Sequence, residues 1–227
     1  MPKYWFINRP TAQRYDVILD NQTTALFYCG DFPVSAVLIL GGASRTGKSL
    51  ISRELLPRLG VPYLSIDPIK MALSKAVPSY PLDTDASSIA VSEQLWPFVR
   101  ALLINMHETG LSYLVEGEVL PWQVAQLSDQ LGFALPACFV GYQNVVVSQH
   151  VAQIKRHYHL PNSWTIDMSD ADLHRLVEEG VDYSRYLCAE CERYGLYYQD
   201  FSVDFDTAKA AVIAYFERAW GDKYTSL

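Results

Sequence analysis

Apolar residues in this chain gather into five short runs, separated by longer stretches with helical spacing. Val34-Ser-Ala-Val-Leu-Ile-Leu40 is nearly continuous and partly β-branched, which predicts a strand buried on both faces, as in a parallel sheet. Gly41 and Gly42 end it, and a helix is predicted from Gly47 to about Leu56. Val61 to Ile66 is the second strand, closed by Asp67-Pro68; Pro68 suits the first position of the next helix. From about Ala86 to His107 the residues Ile89, Leu95, Val99, Leu102, Leu103 and Met106 share one helical face. Gly110 stops that helix, and Leu111 to Val115 forms the third strand, running into Glu116-Gly117-Glu118. Pro121 opens a helix that Gly132 ends. Ala137 to Tyr142 is the fourth strand, followed by a helix over about 145–157, although Val145-Val146-Val147 also suits a longer strand. Ser169-Asp-Ala-Asp172 starts a helix that runs to about Tyr194, with Gly195 as its end signal. Leu196 to Phe201 is the fifth strand, and a last helix runs from about Asp206 to Gly221. Strands and helices alternating in this way predict an α/β layer fold with a mostly parallel sheet and right-handed crossovers.

Composition narrows the function classes. Half of the 227 residues are apolar and only 19% are charged, with a formal net charge of -7. No basic stripe is present, so general nucleic-acid binding is not expected. The longest apolar run falls far short of the roughly 20 residues that span a bilayer. Met1 to Pro10 shows no basic region followed by an apolar one, and the expectation is a cytoplasmic protein with reduced thiols. Its four cysteines, Cys29, Cys138, Cys188 and Cys191, include one Cys-x-x-Cys inside a helical pattern, which reads as buried or idle thiols. The five histidines show no metal-type spacing. Residues 1–33 are mixed and aromatic-rich and read as an N-terminal extension; 34–227 reads as the main domain.

Gly42-Ala43-Ser44-Arg45-Thr46-Gly47-Lys48-Ser49 matches G-x-x-x-x-G-K-[ST] in full, with a buried strand before it and a helix after it. The glycines let the backbone turn and approach phosphate oxygens with no Cβ in the way. Successive amides then point at the anion, and the following helix adds its positive end. Lys48 supplies charge for the β and γ phosphates, and the Ser49 hydroxyl suits Mg²⁺. The motif therefore predicts binding of a nucleoside triphosphate, as Mg-ATP.

Phosphoryl transfer also needs a metal carboxylate, an acceptor-side group and further positive charge. In open α/β sheets such groups gather at the carboxyl ends of strands. Asp67, after the second strand, suits a group taking the proton of an acceptor hydroxyl, and it equally suits a helix N-cap. Glu116, after the third strand, suits the metal side; Glu118 is the alternative. Arg156 is the leading cation for closing over the phosphates, from a lid over about 155–185 that includes the polar stretch His159 to Met168. Arg45, Lys155, Arg175 and Arg185 are further candidates.

This loop, the Leu114-Val-Glu-Gly-Glu118 step and a lid-like stretch before the last strand resemble the P-loop kinases of the nucleoside-monophosphate, shikimate and gluconate kinase group. The Glu116-Gly117 step also resembles 2-phosphoglycerate-kinase-like, chloramphenicol-phosphotransferase-like and zeta-toxin-like proteins. The resemblance covers about residues 34–220. It implies a three-layer P-loop NTPase fold: five parallel strands ordered 2-3-1-4-5, helices on both sides, and a helical lid. It further implies ATP and Mg²⁺ as cofactors and a small-molecule hydroxyl as acceptor. By position, Lys48 and Ser49 take the phosphate and metal roles, Asp67 the acceptor side, Glu116 the metal side, and Arg156 the lid. Tyr198 to Ser202 resembles the segment that passes the adenine. Three departures, Glu-Gly-Glu after the third strand, no arginine closely after it, and a lid poor in arginine, count against a nucleoside monophosphate as acceptor. The alternative readings are a nucleotide-dependent switch or ATPase, and a toxin-like sugar-nucleotide kinase. No N-K-x-D base-reading motif supports a GTPase-type switch.

Overall fold

The computed structural model describes residues 36–158 and 164–225; the N-terminal extension, 1–33, and the His159–Ser163 part of the expected lid lie outside them. Five strands, β1 (Val37–Gly42), β2 (Tyr63–Ser65), β3 (Tyr113–Gly117), β4 (Ala137–Gly141) and β5 (Tyr197–Asp200), form one sheet in the order β2-β3-β1-β4-β5. Every neighbouring pair is parallel, as the alternation of elements and the resemblance both predict. The helices are α1 (Lys48–Leu59), α2 (Ile66–Ala76), α3 (Ser88–Glu108), α4 (Pro121–Leu131), α5 (Val147–Arg156), α6 (Asp170–Tyr194) and α7 (Phe205–Thr225). None of the described helices is long and apolar enough to cross a membrane.

The central strand shows why its apolar run is continuous. Successive side chains point to opposite faces, and both faces are covered. Val37 and Ile39 pack into one cluster with Leu95 and Val99 of α3, Val124 of α4, and Leu173, Val177 and Leu187 of α6. Leu38 and Leu40 pack into the other with Ile51 and Leu55 of α1 and Val212 and Phe216 of α7. Each fully buried leucine or isoleucine contributes about 1.5–3 kcal/mol, so a charge on either face of β1 breaks the sheet at its centre.

Several boundaries differ from the sequence reading. The strand β1 runs on through Gly41 and Gly42, which pair with Gly117 of β3 and Val140 of β4. The helix α1 continues through Pro57 to Leu59. One missing amide on an exposed turn is outweighed by burial of Leu55 and Leu59 on the same face. The helix α2 starts at Ile66, so Pro68 is its third residue; the first turn has amides without helical partners, which makes proline harmless there. Of the face predicted for α3, Leu95, Val99, Leu103 and Met106 are buried, and Val91 and Ser92 complete it. The valines 145–147 do not lengthen β4: Val147 begins α5. Within the expected lid, residues 170–185 belong to α6, which buries Leu173, Val177 and Val181 in the core.

Candidate phosphate-binding site

The loop 42–49 sits at the carboxyl end of β1, between the ends of β3 and β4. Its entry requires glycine: Gly42 has φ 140°, and a Cβ there would lie 2.2 Å from the Val140 carbonyl oxygen. The next amide, of Ala43, donates to that same oxygen at 2.9 Å. Thr46, buried, donates its hydroxyl to the Ala43 carbonyl at 2.8 Å, so the turn closes on itself. Lys48 Nζ donates to the carbonyls of Gly42 (3.0 Å) and Ala43 (2.7 Å), which holds the ammonium across the mouth of the loop.

The amino end of α1 is left open. Its N-cap is Gly47, no side chain caps it, and no acidic residue stands in its first turn. In contrast, Ser169 caps α6 by accepting from the Asp172 amide, and Asp170 and Asp172 fill its first turn. Uncapped amides and an uncompensated positive helix end are what a phosphate completes. Burial lowers the pKa of Lys48, while Glu116, Asp67 and Glu118 oppose that effect.

Ser49 Oγ donates to Glu116 Oε1 at 3.3 Å. Glu116 is 3% exposed and lies in β3, level with Leu40 of β1 and Ser65 of β2. A buried carboxylate facing a hydroxyl is a poor arrangement without a cation. Two hard oxygens from separate elements fit Mg²⁺, which takes few protein ligands and completes its shell with water and phosphate. Among the described residues no group of three or more His, Cys, Asp or Glu forms a dedicated metal cage.

Asp67 does not end the second strand, nor does it cap a helix. It is the second residue of α2, and Ser65 is the N-cap position. The Asp67 side chain is largely exposed, and Lys70 Nζ lies 3.3 Å from its Oδ1. The same ammonium lies 2.9 Å from Glu118 Oε2. Burial raises the pKa of Glu118 against the pull of Lys70. Burial also works against the charge on Lys70, yet Glu118 and Asp67 leave its pKa raised. Lys70 was absent from the sequence reading; its i,i+3 spacing from Asp67 is the signal that points to it.

The cations on the other flank are arranged differently. Arg156 is the exposed last residue of α5, with no ion pair among the described residues. Lys155 pairs with Asp170 at 2.5 Å, and Arg175 and Arg185 pair with Asp172 and Asp182 on their own helix. Arg45 is half-buried, with a left-handed φ of 65°. Burial lowers its pKa, and Tyr158 and Tyr142 oppose this. Phe205, at the start of α7, lies against the loop: a Cβ on Gly47 would be 2.8 Å from its ring. Just before it, the Tyr198–Ser202 stretch is tied down through Asp200, whose carboxylate accepts from the Ser202 amide and Asn144 Nδ2.

No protein-family model matches the sequence, and no curated protein does. Solved structures do. A kinase candidate from Chloroflexus aurantiacus aligns with a TM-score of 0.51 at 16% identity, over 84% of this chain and 98% of its own. Shikimate kinase from Bacteroides thetaiotaomicron aligns at 0.51 and 11%, over 80% and 98%. A gluconokinase from Sinorhizobium meliloti aligns at 0.49 and 16%, over 86% and 98%. At such identities the likeness to the first two is one of fold alone: with five parallel strands in the order β2-β3-β1-β4-β5 and helices on both faces, this protein has the fold of the P-loop small-molecule kinases.

Proposed function

We propose that this protein is a phosphotransferase that moves the γ-phosphoryl group of Mg-ATP to a hydroxyl of a small molecule. The observation that carries the reading is the open loop. Lys48 bridges its mouth, the first turn of α1 has no cap, and the Ser49–Glu116 oxygen pair stands beside it. The loop amides and Lys48 bind the β and γ phosphates, while Ser49 and Glu116 hold Mg²⁺. The ion spreads the charge of the triphosphate when bound. Asp67 takes the proton of the acceptor hydroxyl as its oxygen attacks phosphorus and the bond to the β-phosphate oxygen breaks. Lys70 fixes Asp67 and Glu118 side by side. Arg156, at the rim of α5, adds positive charge from the connection into α6, to which the lid role is assigned. Free Cys138, Cys188 and Cys191 support a reducing, cytoplasmic setting.

The test is ATP consumption with Mg²⁺ against nucleosides, sugars, sugar nucleotides, phosphoglycerate and aminoglycoside- or chloramphenicol-type compounds. ADP formed in step with one phosphorylated acceptor establishes the activity and its class. A protein that binds ATP tightly yet shows no acceptor-stimulated turnover across the panel points instead to a nucleotide-dependent switch.

A further inference from the structure

Several of the described cations are met by carboxylates, as Lys155 is by Asp170 and Lys70 by Glu118. Arg45 is not: among the described residues it forms no ion pair, although it is half-buried. Its backbone is also held at φ 65°, a region that side chains other than glycine rarely adopt. It is the sole non-glycine residue at positive φ among those described. A strained residue that carries an unmatched charge, inside a loop shaped for an anion, has two costs that ligand binding can offset.

The seat of Arg45 is built rather than incidental. Tyr142, which follows β4, is 1% exposed and packs at a tilt against the His150 ring of α5, with ring centroids 4.3 Å apart. Tyr142 reaches this place because α6 has glycine opposite: a Cβ at Gly180 would lie 2.0 Å from its hydroxyl oxygen. Among the described residues, the buried Nε2 of His150 has no hydrogen-bond partner. Tyr158, after α5, anchors its own hydroxyl on the Thr165 carbonyl at 3.0 Å. Arg45 thus lies within electrostatic reach of Tyr158 and Tyr142, and among the described residues no acidic side chain pairs with its guanidinium.

We propose that Arg45 is the residue that grips the γ-phosphoryl group from inside the loop, in addition to the charge that Arg156 adds at the rim of α5. The inference rests on the phosphate-binding reading of the loop. A guanidinium offers two parallel donors to adjacent phosphate oxygens, which an ammonium cannot do, so it suits a terminal phosphoryl group with free oxygens. ADP lacks that group, and this difference makes the inference measurable without knowing the acceptor.

Calorimetry of the full chain with Mg²⁺, using the non-hydrolysed triphosphate analogue AMP-PNP and ADP, separates the outcomes. Arg45→Ala is expected to weaken AMP-PNP by roughly 10–100-fold, the range of a charge-assisted contact, and ADP by less than about threefold. Arg45→Gly should show the same selective loss with a Tm above the parent's, because glycine relieves the left-handed strain; that variant guards against misfolding. Lys48→Ala should weaken both nucleotides. Equal weakening of the two by the Arg45 variants, or no weakening, overturns the role given to Arg45 while leaving the loop reading intact. A wild-type protein that binds neither nucleotide overturns the loop reading itself, and the inference with it.

Discussion

The two flanks of the phosphate loop solve opposite problems. Towards β3 and α2 the charges are matched: Lys70 stands between Asp67 and Glu118, and Glu116 accepts from Ser49. Towards β4 and α5 they are not: among the described residues Arg45 and Arg156 have no ion pair, and aromatic rings stand nearby. A matched flank holds its geometry before any ligand arrives, which suits groups that must position a metal and a proton. An unmatched flank is completed by an anion. Under the proposed function, the contrast assigns the phosphate to one side of the loop and the acceptor to the other.

Four measurements break or sharpen this contrast. Lys48→Ala should bring turnover down by at least roughly 10³-fold, the upper scale for one lost transition-state donor, with an unchanged circular dichroism spectrum. Turnover within a few fold of the parent would detach the loop from the chemistry. Asp67→Asn should lower kcat by roughly 10²-fold, the low end for a positioned base, since the carboxylate is well exposed; nucleotide affinity should hold. Weakened nucleotide binding would move Asp67 to the phosphate flank.

Lys70→Met probes the matching itself. Burial raises the Glu118 pKa and Lys70 opposes this, so removing the ammonium should push the Glu118 pKa further up. The acid limb of the kcat/KM profile should therefore move to higher pH in the variant, and an unmoved limb would reduce Lys70 to packing. The smallest effect belongs to His150. Burial lowers its pKa below the usual 6.5, Arg45 adds to this and Gln153 opposes it. The unfolded chain thus binds this proton more readily, so the contribution to stability is present above pH 6.5 and fades as pH falls through the folded value. The Tm of the parent should drop more than that of His150→Gln on acidification from about pH 7 to 5, as read by thermal melts.

Much of this arrangement was legible in the chain. The continuous run before Gly42 reported a strand covered on both faces, and the loop motif marked the turn at the end of β1 that the proposed function takes as the phosphate site. Element ends were less legible where packing overrides local signals, as when Leu59 carries α1 past Pro57. Glu116 was read as following a strand, and it lies within one, because pairing with β1 and β2 extends β3 to Gly117. Lys70 was hidden because its meaning depends on Glu118, 48 residues away. The aromatic group near Arg45 was hidden for the same reason: Tyr142, His150 and Tyr158 look like ordinary aromatic spacing until the fold brings them to the loop.

Gly117 carries a consequence for how this protein tolerates change. Its φ is 144°, and a Cβ there would stand 2.7 Å from Cβ of Ile66, the first residue of α2. The strand that bears Glu116 and the helix that bears Asp67 therefore touch with no gap between them. In a saturation-mutagenesis survey scored by activity, position 117 should be as intolerant as position 42, although the reading above gives it no phosphate, metal or acceptor to touch. Even alanine there would wedge α2 away from the sheet and part Glu116 from Asp67.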